Sequence, residues 1–157
     1  MRTLILYATK TGTAEKCAKL LAERLSGAEV RRLGPEPVDL APWDTVAVGG
    51  SVRMGTLHPD CRRFLERQGR ELLEKRAGYF ISNGMFERGP ELLEQLFPQK
   101  LRDRALCLAS FGGELDLSRQ RGLDKLVARM AVSAMKDGEP ARIHLEEIEA
   151  FARKLEG

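Results

Sequence analysis

Residues 3–14 read Thr3-Leu4-Ile5-Leu6-Tyr7-Ala8-Thr9-Lys10-Thr11-Gly12-Thr13-Ala14. The run Leu4 to Ala8 shows no polar alternation, which predicts a strand over Thr3 to Ala8 that is buried on both faces. Behind it Ala14, Cys17, Ala18, Leu21 and Leu25 recur at helical spacing, predicting a helix over Thr13 to Leu25 with Gly27 past its end. A buried strand that passes through a short Thr/Gly loop into an amphipathic helix is the first half of a βαβ unit.

The rest of the chain repeats the alternation. Strands are predicted at Glu29–Leu33, Thr45–Ser51, Ala77–Ser82 and Arg104–Phe111. Helices are predicted from Pro59 to about Gln68, with a break or bend at Gly69, and then over Glu71–Lys75, Pro90–Phe97, Ser118–Lys136 and Leu145–Leu155. The connection LGPEPVDLAPW (33–43) reads as a surface loop. Five strands of one parallel sheet with helices between them predict a three-layer doubly wound α/β fold, and residues 1–157 form a single domain.

Composition narrows the function classes. Lys and Arg number 26 against 23 Asp and Glu, with the signs interleaved, so no nucleic-acid partner is expected. The longest apolar runs have five residues, against the roughly 20 of a membrane-spanning helix. The N-terminus lacks the pattern of a signal peptide. Cys17, Cys61 and Cys107 are widely spaced, which predicts reduced thiols and a cytoplasmic location. With only His58 and His144 besides, no metal site is expected.

Open parallel sheets bind ligands beyond the carboxyl ends of their strands, where strand order reverses. The loops there carry Thr9-Lys10-Thr11-Gly12-Thr13-Ala14, Ser51-Val52-Arg53-Met54-Gly55-Thr56, Ser82-Asn83-Gly84-Met85 and Phe111-Gly112-Gly113-Glu114. The first leads into a helix N-terminus, whose N–H groups and dipole favour a phosphate, with threonine hydroxyls as added donors. The same residues also serve as a βα turn with threonine caps, and the motif alone leaves both readings open. The second and third loops read as ordinary glycine turns singly. Together the three suit a ligand with a phosphate at one end and a planar ring at the other. No GxGxxG, no phosphate-binding GxxxxGK[ST], no acidic pair of a receiver domain and no Ser–His–acid set is present. Cys61 and Arg67 have phosphatase-like spacing, but RRFLE between them reads as helix interior.

At these residues the chain resembles the flavodoxin family, whose phosphate loop has the form [ST]-x-T-G-x-T. Residues 9–14 match at all but the last position, where Ala14 stands. MRTLILYATKTG (1–12), GGSVRMGTLHPDCRRFL (49–65) and LDKLVARMAVSAMKDGE (123–139) are similar to the branch that contains menaquinone-dependent protoporphyrinogen oxidase. The resemblance implies strand order 2-1-3-4-5 and an FMN cofactor. Its phosphate would lie on Thr9, Lys10, Thr11, Gly12, Thr13 and Ala14. Its ring would lie between Ser51, Val52, Arg53, Met54 and Gly55 on one side and Ser82, Asn83, Gly84 and Met85 on the other. No catalytic side chain is implied. The partners implied are a redox protein, or a small molecule of quinone or porphyrin type. Electron-transfer flavodoxins usually clamp the flavin between aromatic rings and are acidic; here the two loops offer Met54 and Phe86, and the chain is basic.

Three readings stand side by side: an FMN-binding oxidoreductase, an electron-transfer flavodoxin serving a protein partner, and a non-redox interaction module without cofactor. Residues 118–136 predict a basic amphipathic helix, with Arg121, Lys125 and Arg129 flanking an apolar stripe. It can pack on the core or a partner, or lie peripherally on the inner membrane face. Cys17 and Cys107 read as core fillers, His58 as a helix-start residue, and Arg53 either as an exposed loop cation or as a partner for an anionic flavin or substrate.

Overall fold

The computed structural model describes residues 2–113 and 142–157. Strand β1 (Thr3–Ala8) takes the position its apolar run demands, in the middle of the sheet. It pairs in parallel with β2 (Glu29–Arg32) on one side and β3 (Thr45–Arg53) on the other. Beyond β3 lie β5 (Arg76–Ser82) and β6 (Cys107–Ser110), both parallel. The order β2-β1-β3-β5-β6 is the expected one, and order reverses between β1 and β3.

Alternate residues of β1 feed two separate cores. Leu4, Leu6 and Ala8 pack with Val46, Val48, Phe64, Leu65 and Leu92, beneath helices α2 (Pro59–Leu72) and α3 (Gly89–Leu96). Ile5 and Tyr7 face Cys17, Leu21, Phe80, Phe111 and Phe151, beneath α1 (Thr13–Glu23) and the C-terminal α5 (Leu145–Glu156). This period-two split is what a central strand between two helical layers requires.

Several boundaries differ from the sequence reading. A sixth strand, β4 (Thr56–Leu57), folds back antiparallel on β3, so the sheet is not purely five-stranded. The turn is Met54-Gly55, not the Asn-Gly or Asp-Gly that signals a two-residue hairpin, which hid it. A further helix, α4 (Gln99–Arg104), follows α3, and the fifth parallel strand starts only at Cys107, because Arg104 closes that helix. A 3-10 turn (Phe86–Arg88) precedes α3. The helix predicted for 118–136 and Glu114 lie outside the described residues.

The connection 33–43 is not a mere surface loop. Leu33, Leu40 and Trp43 are buried in the α2-side core. The buried Gln68 holds the segment: its Oε1 accepts from Val38 N at 2.8 Å and its Nε2 donates to Val38 O at 2.7 Å. Reaching that peptide interrupts α2 at Gln68 (φ −120°, ψ 15°), next to the Gly69 where the sequence predicts a bend. Gln68→Ala would leave both Val38 groups unpaired, and about 2 kcal/mol of stability should be lost. Equilibrium urea unfolding measures it; a loss below about 0.5 kcal/mol would contradict this role.

Candidate functional site

The pairs Ala8↔Gly50 and Ser51↔Ser82 put the ends of β1, β3 and β5 at one edge of the sheet. The three loops singled out in the sequence therefore leave from adjacent strands, at the point where strand order reverses.

In the first loop Gly12 is the N-cap of α1, with φ 97°, and no side chain caps the helix. The first helical bond is Lys16 N to Gly12 O, at 3.0 Å. The N–H groups of Thr13, Ala14 and Glu15 thus occupy the first turn, where a helix offers them no carbonyl. Thr9 is buried, and its Oγ1 accepts from Gly12 N at 2.9 Å. Its hydroxyl thus shapes the loop just ahead of the helix. Lys10 is exposed, and Thr11 and Thr13 are half-buried on the same turn.

The second loop is the β3–β4 hairpin. Both turn residues have positive φ, Met54 at 52° and Gly55 at 74°. That is the sense of a type I′ turn, whose twist matches the flanking strands. A left-handed non-glycine residue costs about 1–2 kcal/mol, and Met54 is also 71% exposed. An apolar side chain held strained and open to solvent at this edge of the sheet points to a contact surface. At the end of β3 the Oγ of Ser51 is buried and has no hydrogen-bond partner. Val52 and Arg53 are half-buried on the way to the turn.

The third loop is held firmly. Asn83 is buried; its Nδ2 donates to Met85 O, its Oδ1 accepts from Ser110 Oγ, and its backbone N donates to Gly112 O at 3.0 Å. The Asn83 side chain is thus spent on fixing the loop to β6, while Ser82 is buried and Met85 is exposed. The fourth loop backs this one: a Cβ on Gly113 would lie 3.3 Å from the Asn83 carbonyl carbon. Phe86, the aromatic ring nearest this loop in sequence, stacks on His144 with centroids 3.6 Å apart. Phe86 also lines a separate open cavity of about 630 Å³ between α3, β6 and the start of α5, together with Leu93, Leu108 and Glu147.

Several cations lie within electrostatic reach of the start of α2. His58 caps α2 through Nδ1, which accepts from Asp60 N at 3.1 Å. That bond requires the neutral tautomer with its proton on Nε2. Burial lowers the His58 pKa; Asp60 opposes the shift, and the nearby cations Arg32, Arg53 and Lys10 reinforce it. Arg32 was not singled out in the sequence; it closes β2, and its Nη2 donates to Thr9 O at 3.3 Å. Cys61, behind this edge, is fully buried in α2, and burial pushes its thiol up to about 12, so it is no nucleophile.

The flavodoxin-domain family model matches residues 4–142. The chain belongs to the flavodoxin family. Solved structures show the same fold at low sequence identity. Flavodoxin 2 from Bacillus cereus is 16% identical with a TM-score of 0.62, covering 99% of this chain and 98% of that one. The flavoprotein from Lactobacillus acidophilus NCFM, solved in complex with FMN, is 13% identical with a TM-score of 0.57, over 69% and 92% of the two chains. Two-electron reduced Megasphaera elsdenii flavodoxin is 21% identical with a TM-score of 0.53, over 69% and 84%. No curated protein matches the sequence.

This flavodoxin domain should show a pH signature at His58. The imidazole is held below its ordinary pKa of 6.5. The unfolded chain therefore binds the proton first as pH falls, and the domain loses stability below about pH 6.5. His58→Asn keeps a capping side chain and removes the titration. The stability of the native protein relative to this variant should fall between pH 7 and 5.5 in urea titrations. A constant difference, or one moving in favour of the native protein, would contradict the assignment.

Proposed function

We propose that the protein binds FMN at the β1–β3–β5 edge and works as a flavin-dependent oxidoreductase. The observation that carries this is the pairing of a Gly12-started helix N-terminus with the strained, exposed Met54-Gly55 hairpin on the neighbouring strand. One feature suits a phosphate and the other an apolar ring. The orphaned Ser51 hydroxyl between them is a polar atom that a bound ligand can satisfy. When bound, FMN supplies one- and two-electron transfer chemistry.

The chain's own residues then have defined tasks. The N–H groups of Thr13, Ala14 and Glu15 receive the phosphate, and Thr9 keeps their loop in shape. Met54 covers the ring from the hairpin side and limits water there. The loop 82–85, rigid through Asn83, presents its backbone to the polar edge of the ring. The likeness in fold to a flavoprotein solved in complex with FMN supports this reading.

Within it, we infer a function of the protoporphyrinogen dehydrogenase type, with a quinone or porphyrin-type partner, in preference to a soluble carrier. Support comes from the stretches 49–65 and 123–139, from Met54 where carriers place an aromatic ring, and from the basic charge balance. A carrier serving an acidic protein partner is the second reading, favoured by the same cations. A cytoplasmic protein that meets the inner membrane face through residues 118–136 fits the first. Anionic liposomes should then retain it at low salt, and their failure to do so would contradict the membrane contact.

Purified protein should be yellow, release FMN on denaturation and rebind it as apoprotein. Gly12→Ala puts a side chain at φ 97°, which should cost about 1–2 kcal/mol of stability, and the folded variant should bind FMN about tenfold more weakly. A colourless protein whose apo form refuses FMN would overturn the proposal.

A further inference from the structure

The sheet ends in two edge strands, β2 and β6, each four residues long. A free edge offers its backbone N–H and C=O groups to a further strand, and charged side chains commonly guard against that. β2 reads Glu29-Val30-Arg31-Arg32 and carries three charges, whereas β6 reads Cys107-Leu108-Ala109-Ser110 and carries none. Among the described residues β6 pairs with β5 alone. Leu108, Ala109 and Ser110 line the open cavity of about 630 Å³ together with Phe86 and Leu93, so the unguarded strand is reached along an apolar groove.

The charges of that groove are sorted along the strand. Arg102 stands at the amino end, in α4, which closes just before β6 begins. Glu87 and Glu147 stand at the carboxyl end. There Gly89 packs on Ser110, where a Cβ would come 2.6 Å from the serine Cβ, and His144 N at the start of α5 donates to Phe111 O at 2.8 Å. Glu94, on α3, lies between the two poles. The neighbouring cations Arg88 and Arg142 pair with Glu91 and Glu146, at 3.5 and 3.2 Å, and leave Glu87 and Glu147 to other partners. A groove positive at one end and negative at the other complements its own copy turned end for end, because a two-fold axis sets each pole against the opposite one.

We propose that β6 is a homodimer interface, in which two copies pair their β6 edges antiparallel about a two-fold axis and Arg102 of each meets Glu87 and Glu147 of the other. The added strand satisfies the free edge, and Phe86, Leu93 and Leu108 leave water as it docks. The Met54-Gly55 hairpin belongs to β3, two strands away, and takes no part, so the inference does not depend on the flavin.

The test is sedimentation equilibrium of the purified full chain, which should show a reversible monomer–dimer equilibrium within about 1–100 µM. Raising NaCl from about 20 to 500 mM should weaken association severalfold. Arg102→Glu and Glu147→Arg should each weaken self-association about tenfold. Mixed together, the two variants should associate more tightly than either does alone, since the mixed pair sets opposite charges at both ends. A protein that stays monomeric throughout, or a dimer indifferent to both reversals, would overturn the inference. Arg102→Glu also loses the bond from Nε to Phe97 O at 2.9 Å. Should it not fold, hydrogen exchange of the wild type decides: the amides of Cys107 to Ser110 should gain protection as concentration rises. Protection that is the same at every concentration would show the strand covered from within the chain, or not covered at all, and would equally overturn the inference.

Discussion

A missing side chain at Gly49 sets the geometry of the whole carboxyl edge. A Cβ there would fall 2.1 Å from the Phe80 ring, so only glycine lets β3 lie against that side chain in register. Phe80 in turn stacks on Phe111 with centroids 4.9 Å apart and meets Phe151 edge-on at 5.9 Å. Those three rings join β5, the end of β6 and α5 into one rigid block. At the next residue, Gly50, a Cβ would crowd Cys61 and Leu57 on the opposite face. The two glycines thus let both helical layers close over the same short length of strand, and Ser51 and the hairpin follow directly from it.

The site inherits its rigidity from that block and its chemistry from the chain ends just beyond it. Where β1 stops, the backbone turns through Gly12 into α1 and leaves N–H groups at the edge. Where β3 stops, it turns back through Met54-Gly55 and holds a methionine out in water. Where β5 stops, Asn83 fixes the loop to Ser110 and Gly112. Two of these ends offer contacts and the third offers a stiff wall, which is the division of labour a positioned planar ligand needs.

The layered fold was legible because its signals are long-range averages. The continuous apolar run of β1, the 3.6-residue stripe of α1 and their repetition leave few other topologies. The turn at residues 9–14 was legible because Gly12 stands between a strand and a helix, whatever else surrounds it. Features set by a single tertiary contact were not. Nothing in Val38 or Gln68 announces that they meet, so the buried character of 33–43 stayed hidden, along with the interruption of α2. The Met54-Gly55 hairpin lacks the usual turn residues, so β4 went unseen. Nothing around Asn83 announces its side-chain bond to Ser110, which only the pairing of β5 with β6 brings within reach. Arg32 was invisible because its relevance depends on the pairing of β2 with β1, not on any motif around it.

These observations describe a flavodoxin-family domain whose candidate ligand edge is backed by a stiff glycine-permitted core. The most direct test of its central claim is to follow the backbone amides of nitrogen-15-labelled apoprotein by NMR while FMN is added. Shifts should concentrate at Gly12 to Glu15 and at Ser51 to Gly55, with smaller ones at Ser82 to Met85. Shifts centred instead on the cavity at Phe86, Leu93 and Leu108, or no shifts at all, would contradict it.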